Sequence, residues 1–118
     1  MGQDLKFIVL NDHKEFALQL RTMLLKFEGV KIVAEIDEPA LLAQTVSQFP
    51  ADILFVNLDP NPEAVLLLIG DVVSAHRELA VFAASESSEG SLILKVMRLG
   101  VKEFFPKPID ENALSEAI

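Results

Sequence analysis

Five short apolar segments alternate with five segments of helical periodicity, and this alternation constrains the fold more than any other feature of the sequence. The apolar segments predict strands at residues 5–10, 30–36, 53–56, 79–84 and 101–105. The segments between and after them predict helices at residues 14–28, 38–49, 63–76, 91–99 and 111–118. Short loops in a strand–helix alternation are typical of the α/β class: a parallel, doubly wound five-stranded sheet with helices on both faces and right-handed crossovers.

Local signals mark several helix ends. Gly29 and Gly100 follow the first and fourth predicted helices, where a C′ glycine is common. Asp37 is predicted to cap the second helix, with Pro39 in its first turn, and Asp110 to cap the last. The residues of the second helix that we expect to face inward are Leu41, Leu42, Thr45 and Phe49.

Composition excludes several classes of function. Eighteen acidic residues outweigh ten basic ones, giving a net charge of −8, which argues against contact with nucleic acid or an anionic membrane. The sequence has no cysteine, which excludes disulfides, thiol catalysis and thiolate metal sites, and no apolar run has the length of a membrane helix. We therefore expect a cytoplasmic protein.

The 118 residues predict one domain, residues 1–118, because no linker, repeat or low-complexity tract divides them. The last predicted helix is short. We expect the natural chain to continue beyond Ile118.

Polar side chains follow four of the five predicted strands. Asn11 and Asp12 follow the first, Asn57 and Asp59 the third, Ser85 the fourth and Lys107 the fifth. In an open α/β sheet, ligands and chemistry gather just outside the carboxyl ends of the strands, so these residues are expected to form one pocket. Simpler roles are open for some of them: Asp12 as a helix N-cap, Asp59 in an Asx-turn, and Ser85 as one of several loop serines.

The C-terminal segment resembles the receiver domains of bacterial two-component response regulators, the CheY-like flavodoxin-type fold. The run Gly100-Val101-Lys102-Glu103-Phe104-Phe105-Pro106-Lys107-Pro108 is similar to the family's G-A-x-x-(Y/F)-x-x-K-P stretch. By this resemblance Lys107 is the phosphate-contacting lysine, and Phe104, three residues earlier, is the aromatic switch position. The resemblance implies a strand order of 2-1-3-4-5.

Three further positions resemble the same family. Asn11-Asp12 stands where the family has the acidic pair that holds Mg²⁺, and Ser85 stands at the Ser/Thr hydroxyl position. The run Phe55-Val56-Asn57-Leu58 is similar to L-L-D-L, whose Asp accepts the phosphoryl group.

Two departures from the family pattern change the expected chemistry. The phosphoacceptor position holds Asn57, whose neutral amide oxygen is a poor nucleophile, and one position of the acidic pair holds Asn11. Mg²⁺ prefers charged oxygens, so we expect Asp12 to bind Mg²⁺ weakly at best, with Asp59 as a second carboxylate. We further expect Asp12 to pair with Lys107, with Asn57 and Ser85 as neutral hydrogen-bond partners, and hence a single fixed state. If the rest of the pocket is intact, Asn57→Asp should restore some phosphorylation; if it does not, Asn11 is the next suspect.

Three functions compete on this sequence. The first is an atypical receiver that acts by protein contact in signalling or localisation, without enzyme activity. The same C-terminal run looks particularly like the N-terminal receiver-like domains of Tad/Cpa-type pilus-assembly proteins, in which a MinD-like ATPase follows. The second is a phosphorelay receiver that uses Asp59, and the third is a flavodoxin-like cofactor binder, although the loop at residues 11–14 lacks a phosphate cradle.

The expected partners are proteins. By resemblance, a homodimer is expected through the fourth helix, fifth strand and fifth helix. An effector or ATPase domain is expected after this one in the natural chain. We expect no cofactor, except for weakly bound Mg²⁺.

Overall fold

Five parallel strands form one sheet in the order β2-β1-β3-β4-β5, which confirms the predicted fold class and strand order. The computed structural model describes residues 4–118. Its elements along the chain are β1 (Leu5–Leu10), α1 (Lys14–Leu24), β2 (Val30–Ile36), a 3-10 turn (Pro39–Leu41), α2 (Leu42–Gln48), β3 (Ile53–Asn57), α3 (Pro62–Ala75), β4 (Ala80–Ser85), α4 (Gly90–Arg98), β5 (Glu103–Pro106) and α5 (Glu111–Ala117).

The central strand β3 is buried along its whole length. It lies between β1 and β4, with Leu54 beside Ile8 on one side and beside Val81 on the other. A strand covered on both faces needs apolar side chains at every position, which explains the unbroken run that precedes Asn57. The carboxyl end of this strand therefore reaches the sheet edge at a fixed point, between the ends of its two neighbours.

Alternate strand residues supply two separate cores. On one face, Ile8, Leu54 and Val81 pack under α2, α3 and α4. On the other face, α1 and α5 cover a layer of four phenylalanines whose rings lie 5.7–6.5 Å apart between centroids: Phe7, Phe55, Phe82 and Phe105. Aromatic pairs at these spacings attract each other beyond their area burial. This layer holds β1, β3, β4 and β5 together beneath the edge at which their polar residues end.

The end of α1 differs from the prediction. The helix ends at Leu24. After it, the main-chain N–H of Phe27 donates to the carbonyl of Leu24, and that of Val30 donates to the carbonyl of Phe27, both in tighter i→i−3 turns. Gly29, with φ of 81°, turns the chain into β2 and is not the C′ residue of the helix. The reason is that the chain must reverse within five residues to place Val30 beside Leu5.

The start of the second helical segment also differs. Pro39 takes the first position of a 3-10 turn, so Glu38, and not Asp37, lies at the cap position, where it makes no side-chain capping bond. Leu42 and Thr45 are buried as predicted, whereas Leu41 and Phe49, at the two ends of the segment, are exposed. Among residues 4–118, no helix combines the length and the apolar character needed to cross a membrane.

Candidate functional site

The carboxyl ends of β1, β3, β4 and β5 bring Asn11, Asn57, Ser85 and Lys107 to one edge of the sheet. Asn57 ends β3 and pairs in register with Ala84, the residue before Ser85. Ser85 in turn pairs in register with Pro106, the residue before Lys107. The side chains of Asn11, Asn57 and Ser85 are buried, with exposed fractions of 7%, 4% and 0%.

A chain of amide hydrogen bonds crosses this edge. The Lys107 ammonium donates to Asn57 Oδ1 at 2.6 Å, and Asn57 Nδ2 donates to Asn11 Oδ1 at 2.8 Å. The main-chain N–H of Asp59 also donates to Asn57 Oδ1, and that of His13 donates to Asn11 Oδ1. Both amide oxygens therefore accept two hydrogen bonds, and the donors around them fix which way each amide is turned.

Asp59 is the carboxylate at the centre of the site. Its Oδ1 accepts from the Ser85 hydroxyl at 2.7 Å, and its Oδ2 accepts from the Glu86 main-chain N–H at 2.7 Å. Lys107 Nζ lies 2.9 Å from the same Oδ2, in an ion pair whose side chains are 13% and 16% exposed. Burial raises the pKa of Asp59, but the hydrogen bonds from Lys107, Ser85 and Glu86 and the positive charge of Lys107 outweigh burial and lower the pKa below its usual range.

Lys107 consequently pairs with Asp59 and not with Asp12. Asp12 is exposed, and the N-cap of α1 is His13, whose Nδ1 accepts from the main-chain N–H of Phe16. Asp12 lines a cavity of about 230 Å³ that is also lined by Asn11, Asn57 and Asp59, so it borders the site but takes part in none of the hydrogen bonds described above. Asp59 takes the place expected of Asp12 because the main-chain N–H of Glu86 and the Ser85 hydroxyl hold its carboxylate next to the lysine.

The hydrogen-bonded oxygens of Asp59, Asn57 and Asn11 are poorly suited to Mg²⁺. Octahedral coordination needs several free oxygens, but both oxygens of Asp59 and the amide oxygens of Asn57 and Asn11 already accept hydrogen bonds. Asn11 instead contributes a buried N–H group: its Nδ2 has no hydrogen-bond partner within residues 4–118. Within residues 4–118, no three His, Cys, Asp or Glu side chains are grouped so that they could hold a metal ion. The weak Mg²⁺ binding expected of Asp12 stays a prediction.

Two contributors to the site were not predicted from the sequence. The ring of Phe16 lies beneath Lys107, with Nζ 4.1 Å from the ring centroid, a cation–π contact. In the sequence Phe16 belongs to an apolar stripe of the first predicted helix, with Leu20, Met23 and Phe27, so its second role has no separate signal. The main-chain N–H of Glu86 likewise has no sequence signal, because almost every residue type carries the same main-chain donor.

The switch position, Phe104, lies on β5 away from the hydrogen-bonded residues. Its ring is half-buried and packs against the core beneath α4. It lines two shallow cavities, one beside α4 with Ile93 and Met97, and one beside α5 with Ala113 and Glu116. Phe104 therefore belongs to the surface formed by α4, β5 and α5.

Receiver domains of known structure share this fold over nearly the whole chain. The isolated receiver domain of RcsB from Salmonella enterica serovar Typhimurium is 19% identical with a TM-score of 0.86, and the match covers 98% of this chain and 86% of that one. The receiver domain of the response regulator NarL from Mycobacterium tuberculosis is 17% identical with a TM-score of 0.87, covering 98% and 94%. CpaE from Burkholderia thailandensis, a protein named for pilus assembly, is 19% identical with a TM-score of 0.85, covering 96% and 93%.

These likenesses confirm the CheY-like receiver fold that the sequence resembles. The chain spans 58% of the length of a longer RcsB response-regulator chain from Salmonella typhimurium, which is 18% identical with a TM-score of 0.86. No family model and no curated protein matches the sequence.

Proposed function

We propose that this receiver-fold domain is an atypical response-regulator module, which acts in signalling or localisation by protein contact and is not phosphorylated. The observation that carries the proposal is the state of Asn57. An amide stands at the acceptor position, and its oxygen accepts a hydrogen bond from Lys107, the cation that the family resemblance assigns to phosphate contact.

The chemistry of the neighbouring carboxylate weighs against the alternative acceptor, Asp59. A nucleophilic carboxylate needs a free, basic oxygen. Oδ1 of Asp59 is bound by Ser85 and Oδ2 by Lys107 and Glu86, and the lowered pKa of Asp59 makes both oxygens less basic. Attack on a phosphodonor would require breaking these contacts first.

The test is incubation with acetyl phosphate and MgCl₂, followed by intact-mass measurement under conditions that preserve acyl phosphates. We expect no gain in mass, while an ordinary receiver treated in parallel gains one phosphoryl group. An acid-labile gain would contradict the proposal, and peptide mapping to Asp59 would favour a working phosphorelay receiver instead.

We propose the surface of α4, β5 and α5 as the contact surface. Leu94 and Met97 on α4 are exposed, and Phe104 is half-buried between the two helices. The charges are divided: Arg98 and Lys102 lie at the end of α4 and before β5, and the exposed acids Asp110 and Glu116 lie at α5. A two-fold axis through such a surface places the basic side of one copy against the acidic side of the other, which favours a homodimer.

The longer protein is also a matter for proposal. One of the similar RcsB structures is described as bound to a promoter, and CpaE is named for pilus assembly. We propose that the natural chain carries an effector or ATPase domain after the receiver-fold domain. We propose that the receiver-fold domain contacts proteins in the cytoplasm and has no enzyme activity. Its charge of −8 favours the further proposal that it makes no contact with nucleic acid. Reading the gene downstream of Ile118 tests this: a P-loop favours the ATPase, and a helix-turn-helix favours a transcriptional regulator.

A further inference from the structure

Almost all of the net charge of this chain lies in one continuous stretch. Residues 32–76 contain seven acidic side chains and no lysine or arginine, whereas the rest of the chain contains eleven acidic and ten basic ones. The two parts therefore carry −7 and −1 of the total of −8. The stretch runs from β2 through α2 and β3 to α3, so the negative charge is concentrated on the part of the molecule that these elements form.

The outward faces of α2 and α3 form one surface, called here the α2–α3 surface, because the two helices lie side by side over the same core. On α3 the exposed residues Ala64, Leu67 and Asp71 are spaced by three and four positions and therefore lie on one face. Leu67 is 76% exposed, the highest value among the large apolar side chains of residues 4–118. Leu41 and Phe49 are exposed at the two ends of the second helical segment. The exposed residues within α2 are all uncharged: Ala43, Gln44, Ser47 and Gln48.

Acidic side chains border the α2–α3 surface at the end where both helices begin. Asp37 and Glu38 precede the 3-10 turn that leads into α2, and Glu63 lies in the first turn of α3. Glu63 pairs with Lys95 of α4, whereas Asp37, Glu38 and Asp71 are exposed and have no ion-pair partner within residues 4–118. Asp71 lies near the C-terminal end of α3, where a carboxylate is not favoured by the helix dipole, so helix stability does not explain it.

A cavity of about 230 Å³ lies at the same end of the surface and is lined by Pro39 before α2 and by Ala64 on α3. Asp12 and Asp37 line it as well, so a basic side chain that enters it meets carboxylates. Asn11 also borders the cavity, and its buried Nδ2 has no hydrogen-bond partner within residues 4–118. An incoming acceptor group, such as a main-chain carbonyl, would stabilise this donor.

We infer that the α2–α3 surface docks a basic amphipathic segment of a partner protein. Its apolar residues contact Leu67, and its lysine or arginine side chains contact Asp37, Glu38 and Asp71. Charge complementarity identifies this occupant, because a stretch with a charge of −7 and no basic residue attracts a cationic partner and repels a second copy of itself. The exposed apolar side chains require that the segment also has an apolar face.

The inference goes beyond the proposed function, because it assigns a second contact surface, made of other residues than the surface of α4, β5 and α5, and the chemical class of its partner. The experiment is a titration of the 118-residue chain with a labelled probe peptide of about 14 residues, composed of leucine and lysine at helical spacing. Fluorescence anisotropy measures the dissociation constant, and ¹H–¹⁵N spectra locate the contact. We expect saturable binding with the largest amide shifts at residues 37–48 and 63–71. A peptide with glutamate in place of lysine should bind at least about tenfold more weakly.

Two variants with matched controls separate the surface from a general effect of charge. Leu67→Ala should weaken binding about tenfold, because the apolar contact of one leucine side chain is lost. Leu18→Ala, at a position 66% exposed on α1, should change the dissociation constant less than about twofold. Asp71→Asn should weaken binding about threefold at low ionic strength, and added salt should reduce this effect. Glu28→Gln, an exposed position after α1, should show less than half of that loss on a logarithmic scale.

The inference is overturned if Leu67→Ala binds the basic peptide as tightly as the parent chain does. It is also overturned if a peptide of the same composition, with its leucines out of helical spacing, binds equally well. Amides of α2 and α3 that shift with protein concentration in the absence of peptide would identify a second copy as the occupant, against the inference. A failure of the proposed function is distinguishable from these outcomes, since covalent phosphorylation is measured by intact mass without the peptide.

Discussion

Asn57 does more than replace a missing carboxylate. Its oxygen accepts from Lys107 while its nitrogen donates to Asn11, so one side chain joins the ends of β1, β3 and β5. A carboxylate at the same position could accept but could not donate. The two asparagines thus form a matched pair, and their buried polar atoms are satisfied apart from Nδ2 of Asn11.

This pairing gives a prediction for Asn57→Asp. The new oxygen would face Asn11 Oδ1 without a proton between them, and the new charge would compete with Asp59 for Lys107. We expect the variant to lose about 1–3 kcal/mol of unfolding free energy. Because Asn11 and the Lys107–Asp59 ion pair make the rest of the pocket unlike that of an ordinary receiver, we now expect it to remain unphosphorylated by acetyl phosphate with Mg²⁺, contrary to the expectation from the sequence. Urea unfolding and intact mass measure the two effects.

The control for Asn57→Asp is the double variant Asn57→Asp with Asp59→Asn. It returns Lys107 to a single carboxylate, so its stability cost should be smaller than the sum of the two single costs. Magnesium-dependent phosphorylation of the single variant would show that the pocket is closer to an ordinary receiver than its hydrogen bonds indicate.

The ion pair of Asp59 predicts how stability depends on pH. Because the pKa of Asp59 is lowered in the folded state, its contribution is present above the unfolded-state pKa of about 3.9 and is lost as the pH falls through the folded-state pKa. We expect Asp59→Asn to cost about 1–3 kcal/mol at pH 7, and the cost to shrink as the pH falls below about 4. Urea unfolding at several pH values measures it.

The matched control for Asp59→Asn is Asp71→Asn, which removes the same charge from an exposed position on α3 and corrects for the change in net charge. If the difference in unfolding free energy between Asp59→Asn and the parent chain stays constant from pH 7 to pH 3, the pKa of Asp59 is not lowered in the folded state.

At the scale of single elements, the sequence predicts the interior of each strand and helix well and their ends less well. The buried run of β3 is unambiguous because a strand covered on both faces needs apolar residues throughout. The end of α1 and the start of α2 depend on the backbone turns that place β2 beside β1. A stripe of apolar residues does not predict these turns. The stripe to Phe27 continues to contact the core after the helix has ended.

The same limit applies to the site. The parallel direction of the strands brings Asn11, Asn57 and Lys107 to one edge, and this direction follows from the alternation of elements. Which aspartate meets the lysine does not follow, because Asp12 and Asp59 both stand within two residues of a strand end. The choice is made by a main-chain N–H, that of Glu86, whose direction depends on the loop and not on its side chain.

The C-terminal end of α4 gives a prediction at the element scale. Gly100 has φ of 101°, and a Cβ built on it would lie 2.9 Å from Cγ1 of Val73 on α3. We expect Gly100→Ala to destabilise the chain by about 1–3 kcal/mol, through backbone strain and the displacement of Val73. Urea unfolding of the purified variant provides the measurement.

The control for Gly100→Ala is Gly90→Ala at the other end of α4. A Cβ there meets no atom within 4 Å, so the change should be within about 1 kcal/mol and in the stabilising direction. Equal costs for the two glycines would mean that Gly100 has no special conformational role.

For the molecule as a whole, the distribution of charge matters more than its sum of −8. Acidic residues prevail, yet Lys102 lines the cavity on the α4 side of Phe104 and Arg98 ends α4, whereas Asp110 and Glu116 line the cavity on the α5 side. Glu103 lines both cavities. A surface that carries charge of one sign repels a second copy of itself. A surface with basic residues on one side and acidic residues on the other can attract a second copy that is related by a two-fold axis. Exposed Met97 and Leu94 on α4 add apolar area to it.

This division predicts a reversible homodimer that charge reversal weakens and a second reversal restores. Arg98→Glu and Glu116→Lys should each raise the dimer dissociation constant about tenfold or more, because each places like charges together across the interface. The double variant recreates the attraction with the signs exchanged and should regain most of the affinity. Arg77→Glu makes the same change in charge before β4, away from this surface, and should leave the constant nearly unchanged. Light scattering after size exclusion over a range of concentrations measures all four, and a parent chain that remains monomeric throughout would exclude the dimer.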